Sequence, residues 1–311
     1  MARGLKRYAR MDASESAWFG AQLSEVRSGT YEIETAARVI RDLIPTNNTS
    51  VPDGEDAYTY TVFDKVGYAK FIAGYSRDLP RVDLYARKEV GRVKTLGDSY
   101  GYNIMESKRA ARMGIPLEQR KAAIAREAID DKMASVAISG DSEHNILGLL
   151  NQPNVTVYVP PAGASTFYDW PRKTVDEILA DMFGIADSIR SVTKRRGKPN
   201  TLLMSGDRYS LISRRRLDTN GTETILSFFT RTHPTLKNIE QWDDLATAGA
   251  GGTQRMMAYE KNPRVLELIV PNEFEQLEEE KRGMEYVTDC IASTGGVVVY
   301  FPAEVAYSDG V

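Results

Sequence analysis

The stretch RDLPRVDLYARKEVGRVK, residues 77–94, has the aromatic and β-branched content of strands, yet it carries Arg77, Asp78, Arg81, Asp83, Arg87, Lys88, Glu89, Arg92 and Lys94. A strand-rich segment this polar cannot bury both its faces in its own core, because a buried charge needs a partner. Two readings are open. The segment is a solvated hairpin, or it is a protruding hairpin whose partners lie on another subunit, where mixed charge sets register. The preceding TYTVFD (59–64) alternates, with Tyr58, Tyr60 and Val62 on one face, and supplies a strand for it to pair with.

Two helices are expected further on. Over 117–138, Leu117, Ile124, Ala128, Met133 and Val136 recur at helical spacing. The stronger signal is at 174–193. Thr174 and Glu177 have capping-box spacing, and Val175, Ile178, Leu179, Met182, Ile185, Ile189 and Val192 form one stripe. KRRGKPN (194–200) closes that helix with cations, which suits the helix dipole, then Gly and Pro. TLLMS (201–205) and RVLELIVP (264–271) read as strands, an acidic run extends from Glu273 to Glu280, and Gly295-Gly296 joins two terminal strands. Strands and helices mix without βαβ alternation, which favours an α+β fold.

The search for chemistry finds little. The chain of 311 residues has one cysteine and two histidines, so disulfides and His- or Cys-rich metal sites are not expected. Asp141, Glu143 and His144 crowd together in GDSEHNILGLLNQPNV (140–155) and could supply ligands to a metal-dependent hydrolase. They also fit a turn that ends the first helix, and the turn is the preferred reading. AGAGGTQ (248–254) lacks the Lys-Ser/Thr of a phosphate loop and reads as a flexible loop. Cys290, in a strand-like run, reads as a buried inert thiol. No cofactor and no enzymatic activity are expected. No apolar stretch is long enough to cross a membrane, and no membrane partner is expected. The N-terminus lacks an apolar core after its basic start, so it is not read as a secretory signal. Its Arg3, Lys6, Arg7 and Arg10 read either as a solvated tail or as an arm lying on a neighbour. The net charge of −3 disfavours a surface that grips nucleic acid all over.

The order of these passages resembles tailed-phage major capsid proteins with the Hong Kong 97-type fold. The likeness rests on YGYNIMESKRAARMGIPLEQRKAAIAREAIDDKMASVAISGD followed by NILGLLNQPNV, on WPRKTVDEILADMFGIADSI and KPNTLLMSGDRYSLI, and on RVLELIVPNEFEQL with the terminal GGVVVYFPAEVAYSDGV. It covers roughly residues 31–311. The resemblance implies an N-terminal arm at 1–56 and an extended β-hairpin loop with flanking strands at 57–104. A peripheral domain with a long spine helix would follow at 105–212, an axial domain at 213–290, and return strands of the peripheral domain at 291–311.

The function implied is a subunit that self-assembles, through hexamers and pentamers, into the icosahedral head of a virion. The host cytoplasm would be its place of assembly. The shell would enclose double-stranded DNA, bound without sequence preference. Scaffolding, portal and decoration proteins are further candidate partners, scaffolding as a separate protein. Arg77, Asp78, Arg81, Asp83, Arg87, Lys88 and Glu89 would then make subunit contacts, and Arg3, Lys6, Arg7 and Arg10 would face the interior or a neighbour, phosphate being a natural partner of such cations. An encapsulin-type nanocompartment shell is the nearest alternative.

Overall fold

The computed structural model describes residues 40–48, 51–52, 54–66, 71, 81–114, 116–164, 166–218 and 221–311. Arg3, Lys6, Arg7, Arg10, Arg77 and Asp78 lie outside them. In chain order, a short helix α1 (Ile40–Leu43) and strand β1 (Thr46–Asn47) precede three long strands: β2 (Ala57–Val66), β3 (Asp83–Arg92) and β4 (Lys94–Asn103). Helices α2 (Ile104–Arg112) and α3 (Leu117–Ser139) follow, then β5 (Thr156–Val157), α4 (Val175–Val192) and β6 (Thr201–Met204). After α5 (Gly206–Arg214) and α6 (Ile225–Thr232) come β7 (Asn238–Gln241), β8 (Arg255–Tyr259), β9 (Leu266–Ile269), β10 (Asn272–Gln276) and β11 (Glu280–Arg282). The chain closes with β12 (Glu285–Thr294), β13 (Gly296–Val299) and β14 (Val305–Asp309).

A five-stranded sheet in the order β5-β14-β8-β6-β7 lies between two cores. Leu203, Met257, Tyr259, Val305 and Tyr307 face one core, which holds Ile129, Met133 and Ala137 of α3 and strands β9, β12 and β13. Their neighbours Leu202, Met204, Met256, Ala258 and Ala306 face the other, which holds the stripe of α4 with Ile212 and Phe229 of the two helices that follow. Side chains alternate across a strand, so burial on both faces demands a continuous apolar run. The run LLM at 202–204 meets that demand.

Helix α4 forms as the sequence predicts. Thr174 accepts a hydrogen bond from the Glu177 amide, the Glu177 carboxylate accepts one from the Thr174 amide, and Ile178, Met182, Ile185 and Ile189 are buried. Val192, included in the stripe, is instead exposed. In helix α3 the expected stripe holds in its second half, where Met133 and Val136 are buried, but in its first half Ala125 and Ile129 turn inward while Ile124 is 65 % exposed. One residue rotates the helix by about 100°, and the many alanines here suit a core face and a surface face equally.

Strand pairing crosses the expected boundaries at 212/213 and 290/291. Helix α4 and β6, from before the first boundary, share the five-stranded sheet with β7 and β8. Strand β12 runs through the second boundary, and β14 pairs with β8. A second sheet joins β4 to β12 over a ten-residue antiparallel ladder from Lys94↔Thr294 to Asn103↔Glu285, with β10 and β11 along the other side of β12.

Candidate assembly surfaces

Among the described residues, strands β2 and β3 pair only with each other, from Ala57↔Arg92 to Val66↔Asp83. Segment 77–94 therefore supplies one strand of the ribbon, and Lys94 already belongs to β4. Tyr58, Tyr60 and Val62 do share the less exposed face, as their alternation predicts. The ribbon is anchored at its base. The Val93 amide donates to the Asp56 carbonyl at 2.9 Å, and the Tyr60 ring meets Tyr300 edge-on at 5.2 Å between centroids. The Tyr58 ring lies across Gly91, where an added Cβ would sit 2.0 Å from its Cζ, so the position opposite that tyrosine admits only glycine unless the ring moves. Burial pushes the hydroxyls of Tyr58 and Tyr300 up, the latter to about 12.

Beyond the base, no described side chain of the ribbon is buried. Arg81, Asp83, Arg87 and Lys88 are exposed and Glu89 is half-buried. Arg87 Nε lies 2.7 Å from Glu89 Oε1, an ion pair open to water and hence worth little to the subunit. Val82, Tyr85 and Val90 are also exposed, at 74 %, 61 % and 65 %. A cleft of ≈480 Å³ opens where the ribbon meets the rest of the subunit, between Arg87, Glu89, Leu147, Pro153 and Tyr300.

The turn after α3 settles the geometry of Asp141, Glu143 and His144. Their ligand atoms lie within 4.8 Å of one another. Asp141 Oδ1 accepts from the amides of Glu143 (3.0 Å) and His144 (3.4 Å), and Asp141 Oδ2 lies 3.1 Å from His144 Nδ1. The bond to His144 holds the Asp141 carboxyl below its usual range. Both carboxylate oxygens are thus engaged in shaping the turn. The rest of GDSEHNILGLLNQPNV folds back along the helix end. The Leu149 amide donates to Ala137 O (2.7 Å), Asn151 Nδ2 donates to Ser139 O (2.9 Å), and Gln152 Nε2 reaches Val297 O on β13 (2.9 Å). Gly148 makes this approach possible, since a Cβ there would sit 2.3 Å from the Gly140 nitrogen. The passage is architecture: it joins the end of α3 to the edge of β13.

The sequence reading did not find a buried charged triad. Lys173 Nζ lies 2.7 Å from Asp181 Oδ2, Trp170 Nε1 donates to the same oxygen at 3.0 Å, and Lys173 also donates to Pro161 O. Burial pushes the Asp181 carboxyl up, against the pull of Lys173 and Trp170. The triad ties the loop before α4 to the middle of that helix. His233, taken alone in RTHPT, is also buried. Its Nδ1 accepts the Leu236 amide at 2.9 Å, and burial and the nearby Arg190 lower its pKa to about 4. Cys290 is buried in β12, and burial raises its thiol, in keeping with an unreactive side chain. The AGAGGTQ loop, expected to be flexible, contains a 3-10 turn whose Ala250 amide donates to Asp309 Oδ2 at 3.0 Å.

Among the described residues no helix is long and apolar enough to cross a membrane. The molecule thus presents a well-filled subunit with a charged ribbon standing apart from its core. The family model of major capsid proteins matches residues 67–311. The chain belongs to the major capsid protein family. It is a structural subunit of a phage shell, and its partners in that shell are copies of itself. No curated protein matches it. Among solved structures, the capsid of Myoviridae phage XM1 is similar over 94 % of this chain and 98 % of that one, with a TM-score of 0.77 at 17 % identity. A chain of Mycobacterium phage Bobi matches with a TM-score of 0.61 at 15 % identity, over 97 % of this chain and 99 % of its own. The virus-like particle of Pyrococcus furiosus scores 0.53 at 11 % identity, over 87 % and 92 %. The mixed α and β fold is that of phage capsid subunits, and the nanocompartment alternative is not favoured.

Proposed function

We propose that this major capsid protein builds the icosahedral head of a tailed phage around double-stranded DNA, with the Hong Kong 97-type division of labour. The ribbon β2–β3 is the extended loop, α3 is the spine helix, and β4, β10, β11 and β12 belong with it to the peripheral domain. The five-stranded sheet with α4, α5 and α6 is the axial domain, a different partition from the one read in the sequence. One observation supports this most: a charged ribbon of two ten-residue strands that pairs with no other described strand, in a chain of a family that assembles from its own copies.

A shell needs heterologous contacts that close around symmetry axes. Ribbons and arms spread such contacts over large areas, so modest interactions sum to a stable lattice. In this reading Arg81, Asp83, Arg87, Lys88 and Glu89, with Arg77 and Asp78, meet a neighbouring copy in pentamers and hexamers. Arg3, Lys6, Arg7 and Arg10 lie on a neighbour or face the packaged DNA. Assembly takes place in the host cytoplasm, with scaffolding and portal proteins as further partners. Deleting residues 1–30 tests the arm. The expected result is a folded subunit that assembles poorly, and shells of normal yield and stability would remove the arm from the account.

A further inference from the structure

The cations at the end of α4 are not needed where the sequence places them. A helix C-terminus leaves carbonyls to satisfy, and nearby basic side chains are one means of doing so. Here the backbone does the work. The Arg195 amide donates to Arg190 O at 2.7 Å, the Thr193 amide to Ile189 O at 2.9 Å, and the Arg196 amide to Thr193 O at 3.2 Å. Lys194 and Arg195 take left-handed backbone angles, φ 51° and 65°, to make this turn. Their side chains, with those of Arg196 and Lys198, form no ion pair among the described residues.

Two of them, Arg195 and Lys198, line a cleft of ≈680 Å³ together with Asp187, Arg190, Ser191 and Thr235. Arg190 is held in place: its Nη2 donates to Thr235 Oγ1 at 3.0 Å and its Nη1 lies 3.5 Å from Asp187 Oδ1. Its side chain is only 26 % exposed, whereas that of Asp187 is 68 % exposed and partly screened by water. Beside the cleft, His233 stays neutral and spends Nδ1 on backbone amides, so it contributes neither charge nor a metal ligand there. The wall is concave and carries a fixed guanidinium, two exposed cations and hydroxyls, with the water-exposed Asp187 carboxylate as its one acidic group.

We propose that this cleft binds phosphate groups of a polyanion. A single carboxylate would leave most of the positive wall unmatched. A chain of phosphates, whether free polyphosphate or a nucleic-acid backbone, matches several cations at once, and Arg offers the paired donors that phosphate oxygens take up. No residue of the ribbon lines the cleft, so the inference does not depend on the assembly reading.

The test is titration of the full-length protein with sodium triphosphate, followed by calorimetry and thermal melting at low and moderate salt. The wild-type chain is expected to bind and to melt at higher temperature with ligand. Arg195→Glu combined with Lys198→Glu is expected to weaken binding about tenfold or more, and to flatten the salt dependence, because charge-assisted contacts are lost. Both residues are on the surface, so folding is expected to persist, and circular dichroism checks it. Lys108→Glu with Arg112→Glu changes net charge equally on α2 and should leave binding intact. A short DNA duplex that competes for the same site would identify the source as nucleic acid, and binding of triphosphate without such competition would identify a free polyphosphate. No saturable binding, or equal loss in both double variants, overturns the proposal. So does loss of shell assembly with triphosphate binding unchanged, which would assign the cleft to an acidic face of a second copy.

Discussion

The ribbon β2–β3 and the sheet beneath α4 answer to opposite demands. In the sheet, Leu202, Leu203, Met204, Met256, Met257 and Ala258 are all fully buried, and every one has its packing partners in the same chain. In the ribbon the backbone is as regularly paired, yet past Tyr58 and Tyr60 none of its described side chains is buried. A two-stranded ribbon is marginal on its own, and three or more strands or a packed face are needed for independent stability. The first region explains itself within one subunit. The second leaves its charged faces for the proposed contacts with a neighbouring copy.

Four perturbations press on that contrast, and their effects on subunit stability should fall in a definite order. Met182→Asp places a charge in a site with no exposure and no partner, and should abolish folding, read as loss of soluble protein and of helical circular dichroism. Soluble native-like protein would remove α4 from the core. Lys173→Met strands the Asp181 carboxylate and should cost about 3–5 kcal/mol in urea unfolding of the subunit, less when Asp181→Leu accompanies it. Thr174→Ala removes one side of the capping box and should cost about 1 kcal/mol. Charge reversal at Arg81, Arg87 and Lys88 should change subunit stability by no more than about 0.5 kcal/mol, because among the described residues their one ion pair is the exposed Arg87–Glu89 contact. A large fall in melting temperature would place the ribbon inside its own core.

A fifth test concerns pH. His233 is neutral in the fold, with its pKa lowered from 6.5 to about 4 by burial and by Arg190. The unfolded chain takes up a proton near pH 6.5 that the folded chain refuses until near pH 4. The contribution is therefore fully present above pH 6.5 and is lost as pH falls through that window. His233→Asn keeps an acceptor for the Leu236 amide but cannot titrate. Its stability should be flatter than wild type between pH 6.5 and 4, and an unchanged slope would assign the acid sensitivity elsewhere.

What was legible in the sequence was local. The capping box and stripe of α4, the all-apolar strand at 202–204 and the charge of the ribbon are written in neighbouring residues. The inward face of the first half of α3 was misjudged because alanines at 122, 123, 125 and 128 carry no preference between core and surface, whereas Met133 and Val136 of the second half are buried as expected. The sheets depend on pairings between residues far apart, such as Tyr307 with Met257 and Tyr286 with Tyr102, which no local pattern displays. The buried Lys173 looked like any other lysine in a polar loop, and only the position of Asp181 two turns into α4 reveals its role. The cations at 194–198 were credited to the helix dipole because their backbone turn cannot be read from residue types.

The most direct measurement compares the wild-type chain with the Arg87→Glu, Lys88→Glu variant, under conditions where wild type assembles, by negative-stain microscopy and light scattering. The account predicts shells or capsomers for wild type, and for the variant a folded subunit of unchanged melting temperature that fails to assemble. Assembly of the variant with wild-type yield and size would contradict it.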